Sequence, residues 1–339
     1  MVDGVDHVKG DSLGEFDIIA RYFAPLATAT GALGLRDDTA VLRTPEGQEI
    51  VLTCDTIVEG VHFLKDDPPD SIAHKALAVN LSDLAAKGAR PFVYLLALSL
   101  PAEVTADWLE AFASGLRALQ ERAGIVLVGG DTTRSPGPLS LSVTALGLVP
   151  QGHAVLRLGA KASDRLYVSG TIGDAYLGLR LLQDPALART LALSEDDTAF
   201  VIDRYRRPQP RYDLALLVRN FAQAAIDVSD GLVSDIEKLC KVSHVGALID
   251  ASRVPLSQAA RKAVELQPEL FAALLTAGDD YEIVAAVPET SADYFEAEAL
   301  GKRLSVTMIG RVEGSSGEAR VLGPGGKPLM LVRKGFAHF

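Results

Sequence analysis

Short apolar runs alternate with helical stretches along this chain, and run after run ends on an aspartate. The alternation restricts the fold to packed layers of strands and helices. Ala73, Leu77, Leu81 and Leu84 recur at helical spacing and predict a helix over 71–87, stopped by Gly88 with Pro91 beyond. A second long helix is expected over 107–123 and a short N-terminal one over 14–23. Strands are expected at 39–42, 50–53, 92–100, 125–128 and 139–149. Pro150-Gln151-Gly152 marks a join, after which the pattern restarts. Strand 165–169, a glycine turn, a helix from Asp174, strand 224–228, helix 232–241 and strands 246–249, 281–287 and 307–312 follow. At 339 residues the chain is comfortable for two domains, and the expectation is two α/β domains, 1–150 and 151–339.

Composition removes several function classes. The net charge of −11 and the absence of a basic stripe argue against nucleic acid and anionic membranes as partners. No apolar run reaches the length of a membrane span, and the charged N-terminal residues do not read as a secretory signal. Cys54 and Cys240 suggest neither a disulfide framework nor a zinc site. The expected location is the cytoplasm. No Walker-type loop or dinucleotide fingerprint is present: Gly301-Lys302 is followed by Arg303 and Gly326-Lys327 by Pro328.

What the chain offers is aspartate at strand ends and turns. Arg36-Asp37-Asp38-Thr39 precedes an expected strand and reads alone as a turn. Asp55, in Thr53-Cys54-Asp55-Thr56, closes an apolar strand, where it is either a ligand or a cap. Asn80 and Asp83 share one helix face; Asp83 either pairs with Lys87 or serves a ligand. Asn80, Ser82 and Asp83 are poor choices for a helix interior. Gly129-Gly130-Asp131-Thr132-Thr133 follows a strand, and its glycines allow backbone to approach a ligand. Asp227-Val228-Ser229-Asp230-Gly231 joins a strand to a helix whose free N–H groups could hold an anion. Ala277-Gly278-Asp279-Asp280-Tyr281-Glu282 is either a ligand loop or a solvated acidic loop. Arg204, Arg206, Arg207 and Arg211, among Pro208 and Pro210, read as a solvated loop. Oxygen ligands at this density suit hard cations, Mg²⁺ above all, which would let an acidic protein hold ATP.

These segments, in this order, resemble the thiamine-monophosphate kinases, in the superfamily that includes aminoimidazole ribonucleotide synthetase and selenophosphate synthetase. Gly14-Glu15-Phe16, Asp55-Thr56, His62-Phe63, the run 75–86, the Gly129, Asp227 and Asp280 segments and Lys334-Gly335-Phe336 carry the resemblance over nearly the whole chain. It implies an α/β fold of α+β type with mixed sheets, in the two-domain aminoimidazole ribonucleotide synthetase-like architecture, and a homodimer that pairs its first domains. It implies several Mg²⁺ ions at Asp38, Thr53, Asp55, Asp83, Asp131, Asp227 and Asp230. It implies ATP contacts at Gly130, Asp131, Arg157 and Ser229, and thiamine phosphate contacts at His62, Asp279 and Phe336. Two positions depart from the family pattern: Arg36 replaces the usual glycine, and Cys54 the usual serine or threonine beside the metal-binding acid.

The implied reaction moves the ATP γ-phosphoryl group to the phosphate of thiamine phosphate, directly and in line. The acceptor oxygen is largely ionised near neutral pH, so neither a general base nor a covalent nucleophile is expected. Within the superfamily, the rivals are expected to carry a reactive cysteine near the N-terminus or a C-terminal cysteine. Here the first cysteine is Cys54 and the chain closes on Ala337-His338-Phe339.

Overall fold

The computed structural model describes residues 14–314, 317–331 and 335. Two sheets organise them. The first contains β1 (Gln48–Val58), β2 (Arg90–Leu100), β3 (Val126–Arg134) and β4 (Ser140–Pro150), in the order β1-β4-β2-β3. β4 pairs antiparallel with both β1 and β2, whereas β2 and β3 run parallel. A parallel neighbour requires a crossover, and the Ala106–Ala123 helix supplies it.

The second sheet contains β5 (Arg165–Ser169), β6 (Ala224–Asp227), β7 (Gly246–Asp250), β8 (Ile283–Val287), β9 (Val306–Glu313) and β10 (Ala319–Leu322). Its order is β10-β7-β9-β5-β8-β6, antiparallel throughout except for the β10–β7 pair. β8 is buried along its whole length, as its unbroken Ile-Val-Ala-Ala-Val run requires.

The Pro69–Ala86 helix joins the two halves. It packs on β1 and β4 of the first sheet and also on β6 and β8 of the second. Its residues from Ser71 to Ala86 are buried on nearly every side, Asp83 excepted. A helix enclosed all round has no solvated face on which to place polar side chains, so each polar residue in it needs a partner. His74 bonds the carbonyl of Pro208 at 2.8 Å, and burial lowers its pKa to about 4. Asn80 donates to the carbonyl of Ala76 and accepts from the N–H of Asp55. Those bonds explain an asparagine in mid-helix: it fixes β1 against the helix.

Several expectations are corrected here. Residues 39–42 form no strand. The 14–23 helix is one α-turn, Glu15–Ile18, followed by a π-turn, Ile19–Phe23, and a 3₁₀ turn, Ala24–Leu26. Pro25 has no N–H with which to continue an α-helix. β3 does not stop at Val128 but runs on through Gly129, Gly130 and Asp131. Gly130 permits this because a Cβ there would stand 1.8 Å from the Leu96 carbonyl oxygen on β2. The glycine first serves strand packing. The helices Glu195–Arg206, Ala215–Phe221, Gln258–Leu266, Leu270–Thr276 and Glu289–Gly301 were not anticipated.

Candidate active site

Three acids from three elements line one cleft. Asp55 comes from β1, Asp83 from the Pro69–Ala86 helix, and Asp227 from the end of β6. Alternation along β1 turns Thr53 and Asp55 to the same face, and the Thr53 hydroxyl donates to Asp83 Oδ2. Burial, then the charge of Asp83, raises the Asp55 pKa to about 6. Burial, then Asp83 and Asp235, raises Asp227 well above the usual carboxylate range. Asp83 makes no ion pair with Lys87; the Lys87 ammonium donates to the Ala225 carbonyl at 2.8 Å, beside Asp227. Burial lowers the Lys87 pKa, while Asp227 and Asp83 oppose that shift and the Arg157 charge adds to it. Arg157 itself is exposed.

These acids line a cleft of about 610 Å³ together with His62, Ser229, Asp230 and Asp279. Ala175, Tyr176 and Leu179 of the Asp174–Gln183 helix, with Ala273 and Thr276, give the same cleft an apolar portion. His62 is half-buried; its Nδ1 accepts the N–H of Val58 at 3.0 Å, which leaves the ring proton on Nε2.

The turn after β6 behaves differently from expectation. The N–H groups of Ser229, Asp230 and Gly231 do not stand free for an anion. All three donate to Asp235 Oδ2, at 3.0, 2.9 and 3.1 Å. Asp235 is fully buried, and Lys238 bridges it to Asp230. Its sequence signal was an acid in the first turn of the Leu232–Ser243 helix.

The 277–282 loop is stitched to the same turn. Asp279 and Tyr281 donate backbone N–H groups to the carbonyls of Ser229 and Val228. Both adopt positive φ, +71° and +51°, a conformation that non-glycine residues hold only where the surroundings impose it. Gly278 lies so close that a Cβ would be 2.1 Å from the Ser229 carbonyl oxygen. The acids of this loop are not solvated. Asp280 accepts both bonds it makes from the N–H of Gly173, and Glu282 is fully buried.

Glu282 also corrects the reading of the arginine segment. Arg204 and Arg211 both bind its carboxylate, at 2.7 Å and 2.5 Å, and Ser169 donates to it as well. Arg206 pairs with Asp67, and Arg207 with Asp70 and Asp203. The segment expected to be a solvated loop is an ionic tie between the Pro69–Ala86 region and the second sheet. Spacing among prolines could not reveal this, because every partner but Asp203 is distant in sequence.

Asp38, Gly130 and Asp131 lie elsewhere. They line a larger cavity of about 1190 Å³ on the outer face of the first sheet, with Phe16, Phe23, Leu35 and Leu95. Cys54 is exposed and accepts a hydrogen bond from Thr144, another residue of that cavity. It therefore points away from Asp83, to the face opposite Thr53 and Asp55. Arg36 lines the outer cavity too. The two cavities border each other at Thr56, which lines the cleft, and Ser142, which lines the outer cavity; their hydroxyls are 2.6 Å apart. Phe336 lies outside the described residues.

Among the described residues no three His, Cys, Asp or Glu side chains converge on one point. The charge of Asp83 nevertheless reaches both Asp55 and Asp227 and raises their pKa values. Acids this close could hold Mg²⁺ that arrives with a nucleotide, since that ion takes one or two carboxylates and completes its shell with phosphate oxygens and water. A cation must then displace the Asp55 proton at low pH. Mg²⁺–nucleotide binding is expected to release protons, measured by calorimetry in buffers of different ionisation enthalpy, with the Asp55 share appearing near pH 6 and fading by pH 8. Asp55→Asn should remove that share and leave the rest.

Comparison with known proteins places the chain in a family. Residues 36–149 match the family model for the N-terminal domain of AIR synthase related proteins, and 161–323 that for the C-terminal domain. The thiamine-monophosphate kinase of Escherichia coli K12 is 42% identical over 328 residues, covering 96% of this chain and 98% of that protein. The crystal structure of thiamine-monophosphate kinase from Stenotrophomonas maltophilia K279a superposes with a TM-score of 0.78 at 42% identity, covering 87% of this chain and 91% of that one. The structure of AaThiL complexed with AMPPCP and TMP superposes with a TM-score of 0.74 at 30% identity, covering 99% of this chain and all of that one. The chain belongs to the AIR synthase related family, and within it to the thiamine-monophosphate kinases.

Proposed function

We infer that this chain transfers the γ-phosphoryl group of ATP to thiamine phosphate, giving thiamine diphosphate and ADP. The observation that carries the reading is the composition of the cleft between the sheets. Acids from two strands, two turns and one helix stand in the same 610 Å³ as apolar side chains from two other helices. Such a site suits a ligand with a phosphate at one end and a flat organic group at the other.

The metal-binding set is Asp38, Thr53, Asp55, Asp83, Asp131, Asp227 and Asp230. Bound Mg²⁺ would screen the repulsion between two phosphate-bearing substrates. The protein's part is to hold the reactants in line. Asn80 pins β1 at Asp55, Thr53 orients Asp83, and Asp235 shapes the turn that carries Ser229 and Asp230. Gly130, Asp131, Arg157 and Ser229 contact ATP in this reading, and His62, Asp279 and Phe336 contact thiamine phosphate. The acceptor phosphate is mostly ionised near neutral pH, so no side chain has to remove a proton.

Purified protein, ATP, Mg²⁺ and a panel of phosphorylated acceptors provide the test. Thiamine phosphate should yield thiamine diphosphate and ADP in equal amounts, with no phosphorylated protein trapped by rapid quench. Turnover of another acceptor with none of thiamine phosphate would overturn the reading.

The division into 1–150 and 151–339 and the homodimer belong to the same reading. β1 is an edge strand, and Ile50 and Leu52 on its outer face are 45% and 63% exposed. Exposed apolar side chains on an open edge favour burial against a second copy. Leu52→Asp is expected to shift the protein from dimer to monomer in light scattering after gel filtration. A cytoplasmic location fits as well: among the described residues no helix is long and apolar enough to cross a membrane.

A further inference from the structure

We propose that Lys75 is a positioning residue for acceptor recognition: it neutralises Asp279 from beneath the cleft and makes that carboxylate select an N–H donor on the acceptor's ring system rather than its positive charge. The proposal rests on the reading of the acceptor as thiamine phosphate and specifies which part of that molecule Asp279 reads.

Lys75 lies on the Pro69–Ala86 helix and is 1% exposed. Its Nζ is 2.9 Å from Asp279 Oδ2 and 4.0 Å from the centroid of the Tyr205 ring. A buried ammonium is held only where partners replace its water, and here one carboxylate and one aromatic face do so. The second oxygen of Asp279 accepts the Tyr281 hydroxyl at 3.1 Å. Each carboxylate oxygen therefore has one fixed donor, and each keeps a further lone pair. The Asp279 side chain is 27% exposed, and the residue lines the cleft, so unused acceptor capacity is available to a ligand there.

Two kinds of recognition are open to a carboxylate in that position. As a counter-ion it would attract the thiazolium charge of thiamine; as an acceptor it would bond the primary amine of the pyrimidine. A lysine in direct contact removes most of its net field at a distance of several ångströms, because the two charges cancel. Directional lone pairs are not cancelled in this way. The loop geometry supports the directional role. Asp279 and Tyr281 are held at positive φ, and their N–H groups are tied to the carbonyls of Ser229 and Val228. A counter-ion needs no such fixed aim, whereas a hydrogen-bond acceptor does.

The test compares thiamine phosphate with the analogue whose pyrimidine amino group is replaced by oxygen; both keep the thiazolium charge. Measured on the full chain, wild type should favour the amino form by at least ~100-fold in kcat/KM, since a site built for an N–H donor rejects a ligand without it. Lys75→Met removes the donor that fixes Asp279 Oδ2, so the carboxylate can turn and serve both forms as a counter-ion; it should cut that preference at least ~10-fold while kcat with saturating thiamine phosphate stays within ~3-fold. Asp279→Asn, which keeps a carbonyl acceptor without the charge, should retain most of the preference, and it supplies the answer if Lys75→Met fails to fold. Equal use of both forms by wild type, or an undiminished preference in folded Lys75→Met, would overturn the proposal. If wild type binds thiamine phosphate without turning it over, the kinase reading fails. The ratio of the two dissociation constants in the same proteins then still decides the role of Lys75.

Discussion

Asp227→Asn is expected to make the protein more stable and nearly inactive. Asp227 is 6% exposed, and burial together with the Asp83 and Asp235 charges lifts its pKa well above the usual range. An acid whose folded pKa is raised contributes its full stability only below its unfolded value of 3.8. That contribution is lost as pH rises through the folded pKa. At neutral pH the free protein therefore carries a cost, either of a buried charge or of a proton held against the solvent. Asparagine carries neither. A Tm rise of about 2–5 °C at pH 7.5 is expected by scanning calorimetry, shrinking as the pH falls toward 4. The same substitution removes a carboxylate from the set proposed to meet the metal and phosphates. A loss of about 10³-fold in kcat/KM, roughly 4 kcal/mol of transition-state stabilisation, should accompany the gain in Tm. Stability and activity that fell together would show Asp227 to be a structural acid.

Glu282→Ala is expected to produce the largest loss of stability. Its carboxylate is fully buried and is the meeting point of Arg204, Arg211 and Ser169. Replacing a buried ion cluster whole can be neutral, but removing one partner leaves the others unpaired. Arg204, 8% exposed, would be left without a carboxylate partner among the contacts described, and so would Arg211. A loss of about 3–5 kcal/mol follows from that imbalance, which for a chain of this size corresponds to a Tm drop of about 10 °C. Glu282 also ends the loop that presents Asp279, so KM for the acceptor should rise even at a temperature where the variant is folded. A Tm within about 2 °C of wild type would mean that the two arginines find other partners.

Much of this molecule was legible before any fold was in view. The 71–87, 92–100 and 165–169 segments announced themselves by periodicity and by glycine or proline stops, which are local properties of the chain. Asp55, Asp83 and Asp227 could each be placed at a strand end or on a helix face, yet each had a competent local explanation. Asp83 illustrates the limit. Sequence spacing offered it Lys87, four residues away, but the ammonium of Lys87 lies on the Ala225 carbonyl and Asp83 accepts from Thr53. Local spacing identifies which partners are within reach; competition from distant ones decides.

The arginines from 204 to 211 show the same limit more strongly. Charged residues among prolines resemble a solvated loop in any local window. Their burial follows from Glu282, Asp67 and Asp70, which the window does not contain. The anion-binding turn failed for a related reason: its N–H groups were counted as free before Asp235 was known to take all three.

What the sequence determined by itself was the order of apolar runs and, through the resemblance of its motifs to known kinases, the family; it placed Asp55 and Asp131 at strand ends, whereas β1 and β3 run on past them. It reached that far because periodicity, turn chemistry and motif order are written along the chain. Only the tertiary structure decided which acids share a cleft. It set Asp55, Asp83, Asp227, Asp230 and Asp279 between the sheets and left Asp38 and Asp131 on the outer face of the first sheet. The physical reason lies in the pleat and in the Pro69–Ala86 helix. Alternate residues of a strand face opposite ways, so of two neighbours Asp55 lines the cleft while Cys54 turns to the opposite face, against Thr144. A helix buried between two sheets must then find partners for every polar group it carries, and those partners, Asp279 for Lys75 and Thr53 for Asp83, come from both halves of the chain.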